Sequence, residues 1–356
     1  MKTKFLYLFV LLIGLASCEN EDPLIDPPYV PGSEGVFILN EGSWGGNNAS
    51  LTYYNFNTAT KTADIFNGEM GDTGQDMMAY GGKLYITVTE SNCIHILSLD
   101  SLKPLQTITG IAQPRYLTSY NGKVYATAYG ANPGVENGLV LKIDTASLTI
   151  AGTLTVGSYP EGIAAAANGK LYVANGGHGT ENTVSVINTT TFTAENSITV
   201  RINPNIVHAD NYGNIYLTTI GNFGYGAPVD LGGIQKINTS TNVVTPIDIP
   251  ANNKFVIDGD LLYFYGQFTN YATNEFSPIS FGVYNTKTNT LTADPIISDG
   301  TVIATPYAIG VNPKTKDVYI SDSQYNTDSD VYVFGKDGKK KSTIHAGIRA
   351  NAFVFN

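Results

Sequence analysis

Carboxylates are the side chains of this sequence that most obviously could do chemistry. Four of them flank short apolar runs at related positions: Glu41, Asp76, Glu90 and Glu161. A ring of such side chains can hold Ca²⁺ or supply a general base. The segments around them do not repeat one type of metal ligand, so the sequence does not single out a metal site.

The histidines and the known nucleophile motifs give little support for catalysis. His95 and His345 lie in strand-like patterns and His208 in an apolar run, where we expect structural roles. Only His178 lies in a glycine-rich loop, where it can reach a ligand. The sequence has no zinc-protease, nucleophile-elbow, phosphate-loop or paired-cysteine motif. The glycine-rich residues 221–226 precede a strand pattern, which excludes the usual phosphate cradle at a helix start. We therefore expect a protein that is not an enzyme.

Aromatic, amide and a few charged side chains are concentrated in loop segments that differ from one another in sequence. Turns need Gly, Asn, Asp and Pro, whereas aromatic rings that are partly exposed to solvent are typical of binding surfaces. The alternative is that these loops pack on one another and that the tyrosines cap the core. The candidate ligand-binding residues are Trp44, Asn47, Asp76, Glu90, Arg115, Tyr129, Glu161, His178, Asn205, Phe223, Tyr225, Tyr271, Tyr307 and Tyr325.

A repeated element must position these residues. Gly169–Asn175 is a turn glycine followed by an apolar run around a tyrosine, and six further segments have the same pattern. The seven central aromatics, which recur at intervals of roughly 40 to 56 residues, are Phe37, Tyr85, Tyr125, Tyr172, Tyr216, Tyr263 and Tyr319. A period of this length is typical of repeat architectures whose units stack on one another.

Each repeat has the pattern of four strands. In the fourth repeat these are residues 162–167, 170–174, 183–187 and 195–200, with a polar turn beginning at Asn188. We expect the same turn at Asn57, Asp144, Asn238 and Asn285, where the side chain can accept hydrogen bonds from the backbone. The sequence therefore predicts an all-β fold, a seven-bladed β-propeller with four antiparallel strands per blade.

The two ends of the chain complement each other. The first repeat begins at its second strand, Gly35–Leu39, and residues 350–355 have an inner-strand pattern with no strands after them. We predict that the C-terminal strand completes the first blade and closes the ring. In such a ring, the loops between second and third strands share one face with the starts of the inner strands. All the candidate residues lie in these segments, so we expect them around one mouth of the propeller.

The N-terminal sequence predicts a targeting signal and not a folded element. Lys2 and Lys4 precede an apolar run that is too short to span a bilayer as a helix. Residues 15–18 resemble the lipobox of bacterial lipoproteins, in which the cysteine, here Cys18, becomes lipidated. An ordinary secretory signal with a chance cysteine is the alternative. We expect a leader at 1–17, a lipidated cysteine and Pro-rich acidic tether at 18–34, and one propeller at 35–356.

Charge and composition restrict the partners. The formal net charge is −10, which argues against electrostatic binding to nucleic acid or to an anionic membrane surface. The acidic residues after Cys18 resemble the export signal of lipoproteins displayed outside the outer membrane of some Gram-negative bacteria, although a solvated charge run is the alternative. We therefore expect a lipid-anchored protein on the cell surface. Lipidation of Cys18 would leave Cys93 as the only other cysteine, without a partner for a disulfide.

The propeller pattern resembles the YncE-like, surface-layer-type seven-bladed propellers over residues 35–356. The opening segment, residues 36–51, resembles the BtuG-type surface lipoproteins of gut Gram-negative bacteria. That resemblance implies tight binding of cobalamin and its transfer to a TonB-dependent, BtuB-like transporter in the outer membrane. It also implies that Arg115 or Lys254 can meet the cobalamin phosphate and that His178 can approach the cobalt. The aromatic rings would supply the contact area.

Two other functional classes remain open. One is a scaffold that binds a protein or cell-wall partner through the same face. The other is a metal-dependent hydrolase of the lactonase type, which needs several carboxylates that converge on the axis. In addition, the segments starting at Asp100 and Asp144 resemble short O-glycosylation sites, which would modify Ser101 and Thr145 on the opposite face.

Overall fold

The computed structural model describes residues 32, 34–66, 70–134, 137–225, 228–249 and 253–356. They form seven antiparallel sheets of four strands each, except that the fourth sheet has its outer strand divided into two short pieces. The predicted all-β, seven-bladed propeller is thereby confirmed. The predicted leader, Cys18 and nearly all of the tether lie outside the described residues.

The strands take the same four positions in every blade. The innermost strands are β4 (Gly74–Tyr80), β8 (Pro114–Tyr120), β12 (Pro160–Ala165), β17 (Pro204–Ala209), β21 (Lys254–Asp258), β27 (Pro306–Val311) and β31 (Ala350–Phe355). The second strands are β1 (Gly35–Asn40), β5 (Lys83–Val88), β9 (Lys123–Ala128), β13 (Lys170–Asn175), β18 (Asn214–Thr219), β22 (Leu261–Gly266) and β28 (Val318–Asp322).

The outer half of each blade is less regular. The third strands are β2 (Ser50–Asn55), β6 (Cys93–Ser98), β10 (Leu139–Asp144), β14 (Thr183–Asn188), β19 (Gly233–Asn238), β25 (Ser280–Asn285) and β29 (Asp328–Phe334). The fourth strands are β3 (Thr60–Thr62), β7 (Pro104–Thr109), β11 (Thr149–Thr155), β15 (Thr193–Ala194) with β16 (Ile198–Thr199), β20 (Val244–Ile247), β26 (Thr290–Leu291) and β30 (Lys340–Ile348). A small hairpin, β23 (Thr269–Asn270) with β24 (Glu275–Phe276), and a 3₁₀ turn at Gly177–Gly179 lie in loops.

The repeated motif forms the second strand because that strand is covered on both faces. Leu171, Tyr172 and Val173 are completely buried, and so is Tyr85 in the second blade. Tyr85 packs against the apolar side chains of the next blade, around Val124 and Ala126. A four-stranded sheet cannot bury both faces by itself, whereas the ring buries both faces of every blade except at its outer edge.

The C-terminal strand closes the ring as predicted. β31 pairs antiparallel with β1, and Phe37 lies opposite Val354. Phe353 and Phe355 pack on Tyr319 of the seventh blade, with ring centroids 6.1 and 5.0 Å apart. The first blade therefore combines strands from the two ends of the described chain.

The structure corrects two details of the strand and turn prediction. The turn of the first blade is capped by Asn55 and not by Asn57, because Asn55 Oδ1 accepts hydrogen bonds from the backbone amides of Asn57 and Thr58. In the fourth blade the outer strand is broken between Ala194 and Ile198 instead of running through 195–200. The other Asn and Asp turns are capped as expected. For example, Asn188 Oδ1 accepts a hydrogen bond from the backbone amide of Thr190 at 2.9 Å.

The strand order defines two faces. The mouth face carries the starts of the inner strands and the loops between second and third strands. The opposite face carries the short turns, and the described chain begins there, where Lys314 Nζ lies 2.9 Å from Glu34 Oε1. Ser101 and Thr145 also lie on that face, and their glycosylation stays a prediction. Within the described residues, no helix has the length and apolar character needed to cross a membrane.

Candidate ligand-binding site at the mouth of the propeller

Exposed aromatic side chains are concentrated on the mouth face. Six aromatic side chains of the described residues are exposed to solvent, and five of them lie in mouth loops: Trp44 (71%), Tyr225 (72%), Tyr271 (54%), Phe276 (52%) and Tyr325 (62%). The sixth, Tyr212, lies on the opposite face. Large apolar area left in contact with water on one face is typical of an interaction surface.

The loops of the fifth and sixth blades form one aromatic cluster. The rings of Phe223 and Tyr271 are 6.1 Å apart, and Tyr271 lies 6.3 Å from Phe276 in an edge-to-face arrangement. The backbone amide of Tyr271 donates to the carbonyl of Phe223 at 3.0 Å, which fixes one loop to the other. Tyr225 projects beside this cluster into solvent.

A second aromatic row lies on the loops of the third and fourth blades. The ring of Tyr159 contacts Tyr129 at 4.9 Å and His178 at 5.5 Å between centroids. His178 is exposed and has a left-handed backbone with φ of 51°. The structure thus brings the predicted Tyr129 and His178 together through Tyr159, which was not among the predicted site residues.

Arg115 is the centre of a charged cluster between the second, third and fourth blades. Its Nε and Nη2 atoms each lie 3.0 Å from Glu161 Oε2, and Nη1 donates to Gln75 Oε1 at 2.6 Å. Tyr129 donates its hydroxyl to Glu161 Oε1. Burial and the Glu161 carboxylate raise the pKa of Tyr129, so this hydroxyl stays protonated. The guanidinium also lies 4.8 Å from the Tyr129 ring.

Arg349 is the centre of a matching cluster between the seventh and first blades. Its Nη1 lies 3.1 Å from Glu41 Oε1, while Nη2 donates to the hydroxyl of Tyr307. Tyr307 in turn donates to Glu41 Oε2. The guanidinium covers the rings of Tyr307 and Tyr325 at 4.7 and 5.3 Å. Each cluster therefore satisfies an arginine, a glutamate and a tyrosine internally.

The throat of the mouth lies between these two clusters. Lys254 donates to Asn351, whose own side-chain amide donates to the carbonyl of Gln75 at 2.6 Å. Asp76 Oδ2 accepts the amide of Leu117 at 2.8 Å. Below these residues an axial channel of about 680 Å³ is lined by the inner strands, with many aliphatic and aromatic side chains including Val256 and Phe353.

Enclosure in the channel shifts the pKa values of its charged groups. Burial raises the pKa of Asp76 to about 6 and lowers that of Lys254 to about 8. Burial also lowers the pKa of His208 to about 4, so this channel histidine is neutral at neutral pH. The ring of His208 packs edge-to-face on Phe255 at 5.1 Å. These side chains are partly exposed to the channel space, and the protein around the channel limits their hydration.

Bulges at the starts of the inner strands aim the site residues into the mouth. The pairing of β8 with β9 skips from Pro114 to Leu117, so Arg115 and Tyr116 lie opposite the single residue Thr127, and Tyr116 lines the axial channel. Similar register shifts occur at the starts of β4, β12, β17 and β27. Extra residues of this kind re-aim side chains next to functional sites in many sheets.

Buried hydroxyls hold several of these bulges. Thr127 Oγ1 accepts the amide of Tyr116 at 3.0 Å and donates to the carbonyl of Glu161 in the next blade at 2.8 Å. Thr87 donates its hydroxyl to the carbonyl of Arg115, and Ser321 donates to the carbonyl of Ala350. The hydroxyl of Tyr265 donates to the carbonyl of Tyr307. The scaffold thus fixes the backbone that carries both charged clusters.

The possible carboxylate ring is not formed. Glu41 and Glu161 are paired with arginines, and Glu90 borders a separate depression between the second and third blades, where Gln113 donates to it at 3.4 Å. In the part of the chain that the structure describes, no three or more His, Cys, Asp or Glu side chains are grouped to hold a metal ion.

The remaining predicted residues lie on the mouth face outside the clusters. Asn47 is exposed in the loop of Trp44, and Asn205 is partly buried at the start of β17. Sequence reasoning missed Arg349, Asn351 and Tyr159 as site residues. Arg349 and Asn351 flank the start of the C-terminal inner strand, and Tyr159 directly precedes β12. The rule that inner-strand starts face the mouth, applied to all seven strands, would have found them.

Fold and site together define a seven-bladed β-propeller with an aromatic mouth, in which Arg115 and Arg349 are paired with glutamates. The chain belongs to the family described as Domain of unknown function (DUF5074), whose model matches residues 34–351. A search of curated proteins finds no significant match.

Solved structures of low sequence identity share the fold. A functionally unknown protein from Desulfotomaculum acetoxidans has a TM-score of 0.66 at 12% identity, covering 91% of this chain and 99% of that one. A putative 6-phosphogluconolactonase from Bacteroides uniformis has 0.64 at 13%, covering 91% and 100%. A quinonprotein alcohol dehydrogenase-like protein from Bacteroides thetaiotaomicron has 0.61 at 15%, covering 91% and 78%. At these identities the likeness concerns the fold alone, and no enzymatic activity follows from it.

Proposed function

We propose that this protein is a non-enzymatic binding protein that captures cobalamin or a related corrinoid on its mouth face. The observation that carries the proposal is the concentration of five of the six exposed aromatic side chains around one end of the axial channel. Rings that stay uncovered on the free protein are available to cover a large ligand.

The chemistry of the mouth suits a corrinoid. Cobalamin has a broad, roughly planar corrin with apolar faces, amide groups around the rim and a single phosphate. The aromatic cluster of Phe223, Tyr225 and Tyr271 offers flat apolar area. Asn47 and Asn205 are among the amides that can exchange hydrogen bonds with the rim. The resemblance of residues 36–51 to BtuG-type lipoproteins points to the same ligand.

Gel filtration with cobalamin tests the proposal directly. We expect the red colour to elute with the purified protein in a one-to-one complex at micromolar concentration. Failure of the colour to elute with protein would contradict the proposal and favour a scaffold that binds a protein or cell-wall partner.

Single substitutions test whether the mouth is the site. We expect Trp44→Ala and Tyr225→Ala to weaken cobalamin binding, each by up to about 2 kcal/mol or roughly 30-fold if the ring is a central contact. Tyr212→Ala is the matched control, because Tyr212 is an exposed tyrosine on the opposite face. Isothermal titration calorimetry measures the three affinities; equal losses in all three would place the ligand elsewhere.

The proposed location and partner extend this function. We infer that Cys18 anchors the protein by lipid to the outer surface of the outer membrane and that a TonB-dependent, BtuB-like transporter receives the cobalamin. The support is the lipobox-like segment and the acidic residues that follow it. In cells, Cys18→Ala should release the protein from the membrane fraction, and cobalamin-dependent growth should fall while the purified protein still binds. Unchanged fractionation of the variant would contradict the lipid anchor.

A further inference from the structure

Among the described residues, four cationic side chains lie on the mouth face, and the three arginines, Arg115, Arg201 and Arg349, are each paired with a carboxylate. Arg115 is bonded to Glu161 through two nitrogens, and Arg349 is bonded to Glu41. Nη1 of Arg115 also donates to Gln75, and Nη2 of Arg349 donates to Tyr307. A ligand anion at either arginine would have to share a guanidinium whose charge is already balanced by a glutamate.

Lys254 is different. Among the described residues, it forms no ion pair within 4 Å, and both acceptors of its ammonium belong to Asn351. Asn351 is fixed by hydrogen bonds from its amide to the carbonyls of Gly74 and Gln75. An ammonium has three N–H donors, so at least one remains for another acceptor. The ring of Tyr307 lies 4.9 Å from Nζ and closes one side.

The position of Lys254 is also unusual. The side chain lines the axial channel at its mouth end, and aliphatic and aromatic residues such as Val256 and Phe353 line the space beyond it. Because burial lowers the pKa of this ammonium, its own hydration is already incomplete. A partly desolvated cation attracts an anionic partner more strongly than an exposed lysine does.

We propose that Lys254 is the seat for one anionic group, a phosphate or a carboxylate, carried by the ligand that occupies the mouth. The identity of that ligand rests on the proposed function, whereas the anion seat rests on the geometry of Lys254. This assigns the phosphate of a corrinoid to Lys254 and not to Arg115. The two arginine clusters then act as rigid walls on either side of the seat.

The seat should depend on pH in a defined way. The charged groups that act on Lys254 are Glu41, Asp76, Arg115 and Arg349. Above about pH 8 the ammonium loses its proton, so anion binding should weaken. Below about pH 6 Asp76 takes up a proton, which removes a neighbouring negative charge, so anion binding should strengthen.

Inorganic phosphate and acetate test the seat without a corrinoid. At constant ionic strength and pH 7, we expect phosphate to raise the melting temperature of the wild-type protein, and acetate to do so less. Lys254→Met should abolish this rise, whereas Lys254→Arg should retain part of it. Lys103→Met is the control, because Lys103 is exposed on the opposite face. An equal rise in Lys254→Met, or no rise in the wild-type protein at about 100 mM phosphate, would overturn the proposal.

A corrinoid pair separates this inference from the proposed function. Cobinamide lacks the phosphate-linked nucleotide of cobalamin. We expect Lys254→Met to lose more than 10-fold in affinity for cobalamin and to bind cobinamide as the wild-type protein does. Equal losses for both corrinoids would contradict the seat. If neither corrinoid binds the wild-type protein but the phosphate response persists and depends on Lys254, the proposed function fails while the anion seat stands.

Discussion

At the scale of single residues, the charged groups of the mouth differ in their partners. Arg115 and Arg349 are paired with glutamates, whereas Lys254 donates to the uncharged Asn351. Asp76 lies in the throat, and its carboxylate accepts backbone hydrogen bonds from Leu117 and Met77. Burial raises its pKa to about 6, against an ordinary value of 3.8. An acid whose pKa rises on folding binds its proton more tightly in the folded state than in the unfolded chain. Its ionisation therefore works against folding.

Asp76→Asn should stabilise the protein at neutral pH. The carboxyl group destabilises the fold progressively as pH rises from about 4 to about 6, and the full effect persists above that range. The amide keeps the acceptor for Leu117 and has no charge, so we expect a gain of about 2 kcal/mol at pH 7 and almost none at pH 4. Thermal unfolding of both proteins between pH 4 and 8 measures the difference, and a gain that is the same at every pH would contradict the assignment.

At the scale of strands, the bulges at the inner-strand starts decide where the site residues point. Thr127 is completely buried, and its hydroxyl joins the bulge at Tyr116 to the carbonyl of Glu161 in the next blade. The same strand position is Thr87 in the second blade and Ser321 in the seventh. A hydroxyl two residues after the central tyrosine is therefore a structural device that links neighbouring blades under the mouth.

Thr127→Val should destabilise the protein although it changes the side-chain volume little. The substitution leaves the amide of Tyr116 and the carbonyl of Glu161 without their partner in a buried place, which costs about 2 kcal/mol. Thr127→Ser keeps the hydroxyl and is the control, since it loses only a methyl group. Urea unfolding gives both free energies; a valine variant as stable as the serine variant would contradict the role of the hydroxyl.

The C-terminal strand offers a second test at this scale. Removal of residues 349–356 takes away the partner of β1, the contacts of Phe353 and Phe355 with Tyr319, and Arg349 of the mouth. We expect an open ring that exposes the apolar faces of the first and seventh blades and that aggregates or melts at a much lower temperature. An unchanged melting temperature would show that ring closure is not needed for stability.

Much of this architecture could be predicted from the sequence because it depends on local periodicity. The Gly-Lys-Leu-Tyr pattern around Tyr172 sets the second strand, and the unpaired inner-strand pattern at 350–355 sets the closure. The charge pairing could not be predicted. Arg115 and Glu161 are 46 positions apart and Tyr307 and Glu41 are 266 apart, so only the ring brings them into contact.

At the scale of the whole molecule, the mouth is asymmetric. The exposed aromatics come from the loops of the first, fifth, sixth and seventh blades. The second, third and fourth blades contribute the Arg115 cluster and the depression beside Glu90. A ligand with an apolar area on one side and polar groups on the other would therefore bind in one orientation, with its anionic group over Lys254 in the throat.

The side on which the described chain begins has a consequence for transfer between proteins. Glu34 lies on the face opposite the mouth, so the proposed lipid anchor at Cys18, if it held the propeller close, would turn the mouth away from the membrane. An extended chain of 16 residues, the number in 19–34, reaches about 50 Å. The inner strands are about 20 Å long, so this reach lets the molecule turn over and present its mouth to a transporter in the same membrane.

Tether length should therefore control delivery without affecting capture. Deletion of residues 23–31 leaves a reach of roughly 20 Å, which is too short for the mouth to turn towards the membrane. We expect unchanged cobalamin affinity in the purified protein and a loss of cobalamin-dependent growth in cells. An unrelated Pro-rich segment of the same length, inserted in place of the deleted one, should restore growth. Full growth with the shortened tether would mean that the mouth delivers its ligand from the orientation facing away from the membrane.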